Sequence, residues 1–388
     1  MSTVRSRIYT DDGLIDIKSL SLEQLQDKMK ELGHPKYRAL QVYKWVWQRG
    51  VDTFEEMTNV SKDARKQLAE HFSIRWLESA AVMDSSDGTQ KFVWRLPDGS
   101  NIESVLIPDP GKPGPGGSKP RQTLCMSSQV GCAMSCRFCL TGDLGLKRNL
   151  RPSEIVNQAL QVQKALGEDV KLTNLVFMGM GEPLHNITNL ITSLNTLLDS
   201  NAMNFSHRKI TVSTVGLVPQ MAKLAAATPV NLAVSLNATT DEQRIDMMPI
   251  TRRYNLEALM DGCRNFPMQQ HKRITFEYVL MHGYNDDMDD ARRLVKLMRG
   301  QKAKVNLIPY NENPQRPDIL RPPEEHTRRF QNHLVARGIH CSVRTTRGLD
   351  ISAACGQLGK ADPGARITEA GGEYATLSLD GSADAVHS

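Results

Sequence analysis

Between residues 123 and 309 the chain alternates repeatedly between short runs of β-forming residues and longer amphipathic stretches, and this alternation constrains the fold more than any other feature. The β-rich runs occupy residues 123–130, 174–178, 209–214, 231–236, 274–280 and 304–309, and helical spacing marks amphipathic stretches such as residues 153–166, 187–198, 256–266 and 324–336. Six strand–helix alternations imply parallel strands joined by right-handed crossovers, so the class is α/β, either a partial barrel or a doubly wound sheet. In a barrel, residues that bind ligands belong at the C-terminal ends of the strands.

The segments outside that repeat read differently. Ser21 followed by Gln24 makes a capping box, and Leu22, Leu25, Met29 and Leu32 recur at helical spacing until Gly33. With further helical stretches at 38–48 and 61–72, residues 1–80 are expected to form a small helical domain. Its basic faces are either solvated surface or a grip on RNA. Residues 81–122 read as a β-hairpin extension with turns at Asp87-Gly88 and Asp98-Gly99, followed by a Pro/Gly-rich stretch at 108–120 expected to be a mobile loop. The main domain is assigned to 123–357. Residues 358–388 lack periodicity and are expected to be a flexible tail.

Composition excludes several classes. At 388 residues with 40% hydrophobic and 23% charged residues, the chain is neither disordered nor fibrous. It contains no apolar run of membrane-spanning length, and residues 1–15 mix Arg and Asp without a signal-peptide core, so a cytoplasmic protein free of membrane is expected. The net charge of +5 is compatible with one face touching a polyanion. Seven cysteines, three of them in one loop, do not suit a secreted disulfide framework and point to metal or redox chemistry.

Those three are Cys132, Cys136 and Cys139, spaced C-x3-C-x2-C after the first β-rich run of the repeat. Zinc sites and two-cluster ferredoxins usually supply four ligands or paired C-x2-C knuckles. Three thiolates can instead hold three irons of a 4Fe–4S cubane and leave the fourth open to a small molecule; a zinc knuckle with a distant fourth ligand is the alternative. Placed after the first strand of a βα barrel, the loop resembles the signature of the radical S-adenosylmethionine (SAM) superfamily. The resemblance implies a partial (βα)6-type barrel with a small N-terminal helical domain. It also implies an iron that binds the amino and carboxylate groups of SAM, and a 5′-deoxyadenosyl radical formed from it. Phe138 packs either on the cofactor or in the core.

Segments 123–132 (TLCMSSQVGC), 178–183 (MGMGEP), 306–311 (NLIPYN) and 347–357 (RGLDISAACGQ) are similar, in order, to a family of bacterial dual-specificity RNA methyltransferases within that superfamily. Members methylate C2 of an adenosine in 23S rRNA and of the adenosine next to the anticodon in certain tRNAs, consuming two SAM molecules per turnover. The resemblance implies that Gly181 and Glu182 hold the methionyl amine, and that Ser213, Ser235, Leu236, Asn237 and Asn311 contact the cofactor. Asn237 stands where the family often carries His. It further implies that Cys355 accepts a methyl and becomes crosslinked to RNA, that Glu103 is the base, and that Cys125 releases the product by forming a disulfide with Cys355. A flavodoxin-like external electron donor and a monomeric state are expected. Cys263 and Cys341 read as small core residues, and Arg252, Arg253, Arg344 and Arg347 as solvated arginines or phosphate contacts. Three rivals remain: a related enzyme methylating C8 of the same rRNA adenosine, a non-catalytic iron–sulfur RNA-binding redox sensor, and another radical enzyme acting on a peptide or metabolite.

Overall fold

A computed structural model describes residues 10, 12–111, 119–268 and 272–359. The N-terminal layer begins with β1 (Ile15–Asp16), followed by α1 (Leu22–Glu31) and α2 (Lys36–Lys44). A π-helical turn, Trp45–Arg49, ends at Gly50, and α3 (Lys62–His71) leads into β2 (Phe72–Ser73), parallel to β1. The capping box at α1 forms: Gln24 N–H donates to Ser21 Oγ at 3.2 Å, and Ser21 N–H to Gln24 Oε1 at 2.9 Å.

Three antiparallel strands follow, β3 (Glu78–Asp84), β4 (Gln90–Arg95) and β5 (Asn101–Asp109), turned by Gly88 and Gly99 at positive φ. β5 pairs with β6 (Arg121–Cys125), so the hairpins continue the main sheet. The loop expected from residue 108 starts later, because Pro108 and Asp109 still pair with Gln122 and Arg121. Its residues 112–118, and 360–388 of the expected tail, lie outside the described residues.

The expected strand 123–130 is broken in two. After Cys125 the chain leaves the sheet and re-forms as β7 (Gln129–Gly131). Side chains replace sheet partners at the break, which is why it is tolerated: Ser127 N–H donates to Gln158 Oε1 at 2.8 Å, Gln158 Nε2 donates to Ser127 O at 3.0 Å, and Ser127 Oγ donates to Glu103 O at 2.6 Å. α4 (Leu140–Asp143) and β8 (Leu146–Asn149) follow, β8 antiparallel to β7, and then α5 (Pro152–Leu166).

The repeat then runs β9 (Asn174–Phe177), α6 (Ile187–Leu198), β10 (Ile210–Thr214), α7 (Val218–Ala227), β11 (Asn231–Ser235), α8 (Asp241–Met247), α9 (Leu256–Arg264), β12 (Ile274–Leu280), α10 (Met288–Met298), β13 (Ala303–Pro309), α11 (Glu324–Val335) and β14 (Cys341–Val343). Strand order in the ten-stranded sheet is β14-β13-β12-β11-β10-β9-β6-β5-β4-β3. β6 and β9 to β14 are parallel and aim their C-terminal ends at one edge. The architecture is the open α/β barrel of six crossover strands, lengthened by β14 at one side and the hairpins at the other.

α5 shows how the N-terminal layer is attached. Its polar residues Asn157, Gln158 and Gln161 are buried, and each is paired. Lys18 Nζ donates to Asn157 Oδ1 at 3.1 Å and lies 3.0 Å from the Trp76 ring centroid, and Gln161 bonds both the N–H and the carbonyl of Leu77. Burial lowers Lys18 and raises neighbouring Asp16. Hydrophobic residues of the N-terminal layer and of the barrel form one continuous core.

Candidate active site

The cysteine loop is fixed by its ends. Gly131 has φ +72, and a Cβ there would lie 1.8 Å from the carbonyl oxygen of Gly145, so only glycine permits the crossing. Cys132 N–H donates to that carbonyl at 3.0 Å, Arg137 N–H to Met247 O at 3.0 Å and Leu140 N–H to Gly356 O at 2.8 Å. The Arg137 guanidinium points outward to Asp246 (2.9 Å) and Asp318 (2.6 Å). Cys132, Cys136 and Cys139 are thereby left on the wall of one cleft of about 860 Å³ at the C-terminal strand ends.

Burial pushes the Cys132 thiol up to about 12, Cys136 well above its ordinary value, and Cys139 up. Such thiols ionise only beside a cation, and a metal supplies one. Three thiols on one wall can hold three irons of a cubane and leave the fourth open toward the cleft.

Across the cleft, Glu182 is 3% exposed. Its Oε2 accepts Val215 N–H at 2.8 Å and its Oε1 accepts Leu184 N–H at 3.0 Å. Burial still raises its pKa to about 7, against the lowering by those hydrogen bonds. None of the ion pairs among the described residues includes it, so the carboxylate is suited to an incoming cationic group such as an ammonium. Gly181, at φ +97, would drive a Cβ to 2.5 Å from Gln129 Cβ, and this packing holds the Gly-Glu turn against the cysteine loop.

Ser213, Ser235 and Asn237 line the same cleft. Asn237 is a non-glycine residue at φ 58; its Oδ1 accepts Val279 N–H at 2.9 Å, which binds the end of β11 to β12. Leu236 does not line the cleft: its side chain is fully buried in the core, and its carbonyl accepts Arg244 Nε at 3.0 Å. Phe138 does line it.

A second chamber of about 600 Å³ shares the wall formed by Cys139, Gly179, Arg344, Cys355 and Gly356. Cys125, at the end of β6, and Cys355 both line it, as does Asn311. All seven cysteines are free thiols. Burial, reinforced by the Cys355 charge, pushes Cys125 up to about 12, and Arg344 opposes this. Glu103 is buried on β5 and lies outside both walls, two residues before Val105, which lines the chamber. Its Oε2 accepts Gly359 N–H at 3.2 Å, and burial raises its pKa, with Lys91 opposing.

The arginines divide. Arg344 and Arg347 line the second chamber, whereas Arg252 and Arg253 are exposed away from it. Cys263 and Cys341 are buried off both walls.

Glu277 went unnoticed in the sequence. It projects from β12 into the cleft, accepts Asn306 Nδ2 at 2.7 Å, and is raised by burial against the pull of Arg344. A lone acid inside the apolar run of β12 was the available signal. Arg244, nearly inaccessible, donates to the carbonyls of Val215, Ser235 and Leu236 and ties the ends of β10 and β11 together.

Residues 15–74 match the family model for the ribosomal RNA large subunit methyltransferase N-terminal domain, and residues 126–295 match that of the radical SAM superfamily. The chain is 49% identical over 352 residues to the dual-specificity RNA methyltransferase RlmN of Geobacter sulfurreducens, covering 90% of this chain and 94% of that protein. It is 50% identical over 369 residues to RlmN of Anaeromyxobacter dehalogenans, covering 92% and 96%. A crystal structure of a radical SAM methyltransferase from Sphaerobacter thermophilus superposes with a TM-score of 0.80 at 41% identity, over 88% of this chain and 98% of that one.

Proposed function

Because the chain belongs to the RlmN family of dual-specificity RNA methyltransferases within the radical SAM superfamily, we propose that its two joined chambers carry a methyl group from SAM to an RNA adenine by way of Cys355. The enzyme is a SAM-dependent RNA methyltransferase acting on rRNA and tRNA. Its target atom is C2 of an adenosine in 23S rRNA and of the adenosine next to the anticodon in certain tRNAs.

Cys132, Cys136 and Cys139 would hold a 4Fe–4S cluster, which with SAM supplies the methyl group and the hydrogen-abstracting adenosyl radical. Glu182 accepts the ammonium of the methionyl moiety, and Ser213, Ser235 and Asn237 surround the rest. The Cys355 thiolate, beside the Arg344 guanidinium, attacks the sulfonium methyl, the S–CH3 bond breaks with release of S-adenosylhomocysteine, and Cys355 becomes S-methylcysteine. The adenine C2 is electron-poor and cannot attack a sulfonium itself, so a carbon radical on that S-methyl group adds to it. The adduct radical gives up one electron, which the oxidised cluster would take back, and Glu103 removes the C2 proton, leaving an adenine–CH2–S–Cys355 thioether; a carboxylate raised by burial is a better base near neutral pH than an exposed one. Cys125 then attacks the Cys355 sulfur. The S–C bond breaks, the carbon leaves with the electron pair and is protonated to methyl, and the two sulfurs remain as a disulfide for an external reductant.

The observation that supports this reading most is that Cys125 and Cys355, 230 positions apart in the chain, share one chamber that opens onto the cysteine loop. Extruding the adenine into it costs a few kcal/mol of stacking. The N-terminal helical layer and Arg347 offset that cost by holding phosphates. The protein works as a cytoplasmic monomer with a flavodoxin-like electron donor. No described helix is long and apolar enough to cross a membrane.

Peptide mass spectrometry of cofactor-replete protein tests the relay: a methyl on Cys355 is expected, and an unmodified Cys355 overturns it. Nucleoside analysis of treated RNA gives 2-methyladenosine on this reading and 8-methyladenosine on the C8 alternative.

A further inference from the structure

At the C-terminal end of β12, outside both chambers, lies a second group of donor atoms. His282, Asp286 and His326 each offer one ligand atom, and the three atoms lie within 4.8 Å of one another. Asp286 Oδ2 lies 3.1 Å from His282 Nδ1 and 3.2 Å from His326 Nδ1. The two imidazole centroids are 5.4 Å apart and the rings are inclined at 60°, so they converge on the carboxylate without stacking. The Asp286 side chain is 5% exposed while those of the histidines are about 40% exposed: the base of the site is fixed and its mouth opens to solvent.

The scaffold beneath is rigid. Asp286 Oδ1 accepts Gly283 N–H at 2.8 Å, which leaves Oδ2 directed at the histidines. His282 N–H donates to Leu320 O at 2.9 Å. Asn285 Nδ2 donates to the carbonyls of Asn237 and Val279, both at 2.8 Å.

A borderline divalent cation with bonds of about 2.0–2.2 Å to nitrogen and oxygen sets neighbouring donors roughly 3.0–3.5 Å apart. The spacing around Oδ2 already falls there. A simple ion pair would use one histidine; two imidazoles and one carboxylate make a three-ligand set with a remaining position for water.

We propose that His282, Asp286 and His326 bind one zinc-type divalent cation that clamps the loop after β12 to α11. Loaded with metal, the site fixes the loop whose Asn285 holds the carbonyl of Asn237 on the cofactor cleft.

The test uses anaerobic holoenzyme with its iron content measured first. After incubation with Zn2+ and desalting, elemental analysis should find one zinc per chain with iron unchanged, and the melting temperature should rise. His282→Gln and His326→Gln should each lose the bound zinc and the thermal shift while keeping the parent's iron content and metal-free melting temperature. Should one variant fail to fold, the other decides alone, since each removes one of three ligands. The proposal is overturned if no zinc is retained, if both variants retain it, or if zinc rises only as iron falls, which would place it at the cysteine loop.

Discussion

Asn311 Nδ2 donates to the backbone carbonyl oxygen of Cys355 at 3.1 Å, while Asn311 Oδ1 accepts the Thr346 hydroxyl at 2.9 Å. One amide just past β13 therefore bridges both ends of the segment that presents Cys355. Asn311→Ala would remove two hydrogen bonds worth about 0.5–1.5 kcal/mol each and let that segment drift. S-methylation of Cys355 in single-turnover assays should slow by roughly 5- to 100-fold, with cluster iron retained. An unchanged rate would show that the bridge does not position the thiol.

The shared chamber makes the two cysteines separable by experiment. Cys355→Ala should give neither methylated RNA nor any protein–RNA species. Cys125→Ala should load a methyl on Cys355, join it to RNA and stop there. The expected readout is a slow-migrating band on denaturing gels that collapses with nuclease. Free methylated RNA from Cys125→Ala at the parent's rate would remove Cys125 from the release step.

What the sequence reveals depends on the range of the forces involved. β9 to β13 are legible because strands covered on both faces need continuous apolar runs, and the cysteine trio is legible because its ligands are local. The break after Cys125 is not, since Gln158 supplies the missing hydrogen bonds from 31 residues away. The polar face of α5 suggests solvent for a similar reason: its partners Lys18 and Leu77 belong to the N-terminal layer. Leu236 is a cofactor contact by resemblance alone, and its side chain is buried in the core just past β11. Glu103 lies in a strand that looks half-exposed until Gly359 closes over it.

Gln158 gives a stability test of that long-range pairing. It accepts Ser104 Oγ and Ser127 N–H, both at 2.8 Å, and donates to Ser127 O, all buried. Gln158→Ala would leave both backbone groups of Ser127 unsatisfied, at about 1–3 kcal/mol for each orphaned group. Thermal unfolding should shift down by several degrees. Gln163→Ala, one and a half turns further on, should cost less, because its partners, the carbonyls of Gly167 and Val170 and the N–H of Leu172, lie in one local loop and their bonds are part-buried or exposed.

The raised pKa of Glu182 predicts how SAM binding follows pH. Burial holds this carboxyl near 7 in the free protein, so it is largely neutral below that value. An ammonium requires the ionised form, and binding it pulls the pKa down. Affinity for SAM should therefore be full above about pH 7 and weaken as pH falls through it, by up to about tenfold per unit, until the lowered pKa of the complex is reached. Calorimetric titration of SAM into cluster-loaded protein between pH 6 and 8 measures this slope. Glu182→Gln keeps the acceptor oxygen without the charge, so it should bind more weakly and lose the pH dependence. A slope that survives in Glu182→Gln would assign the titration to another group, with Glu277 the next carboxylate on the wall.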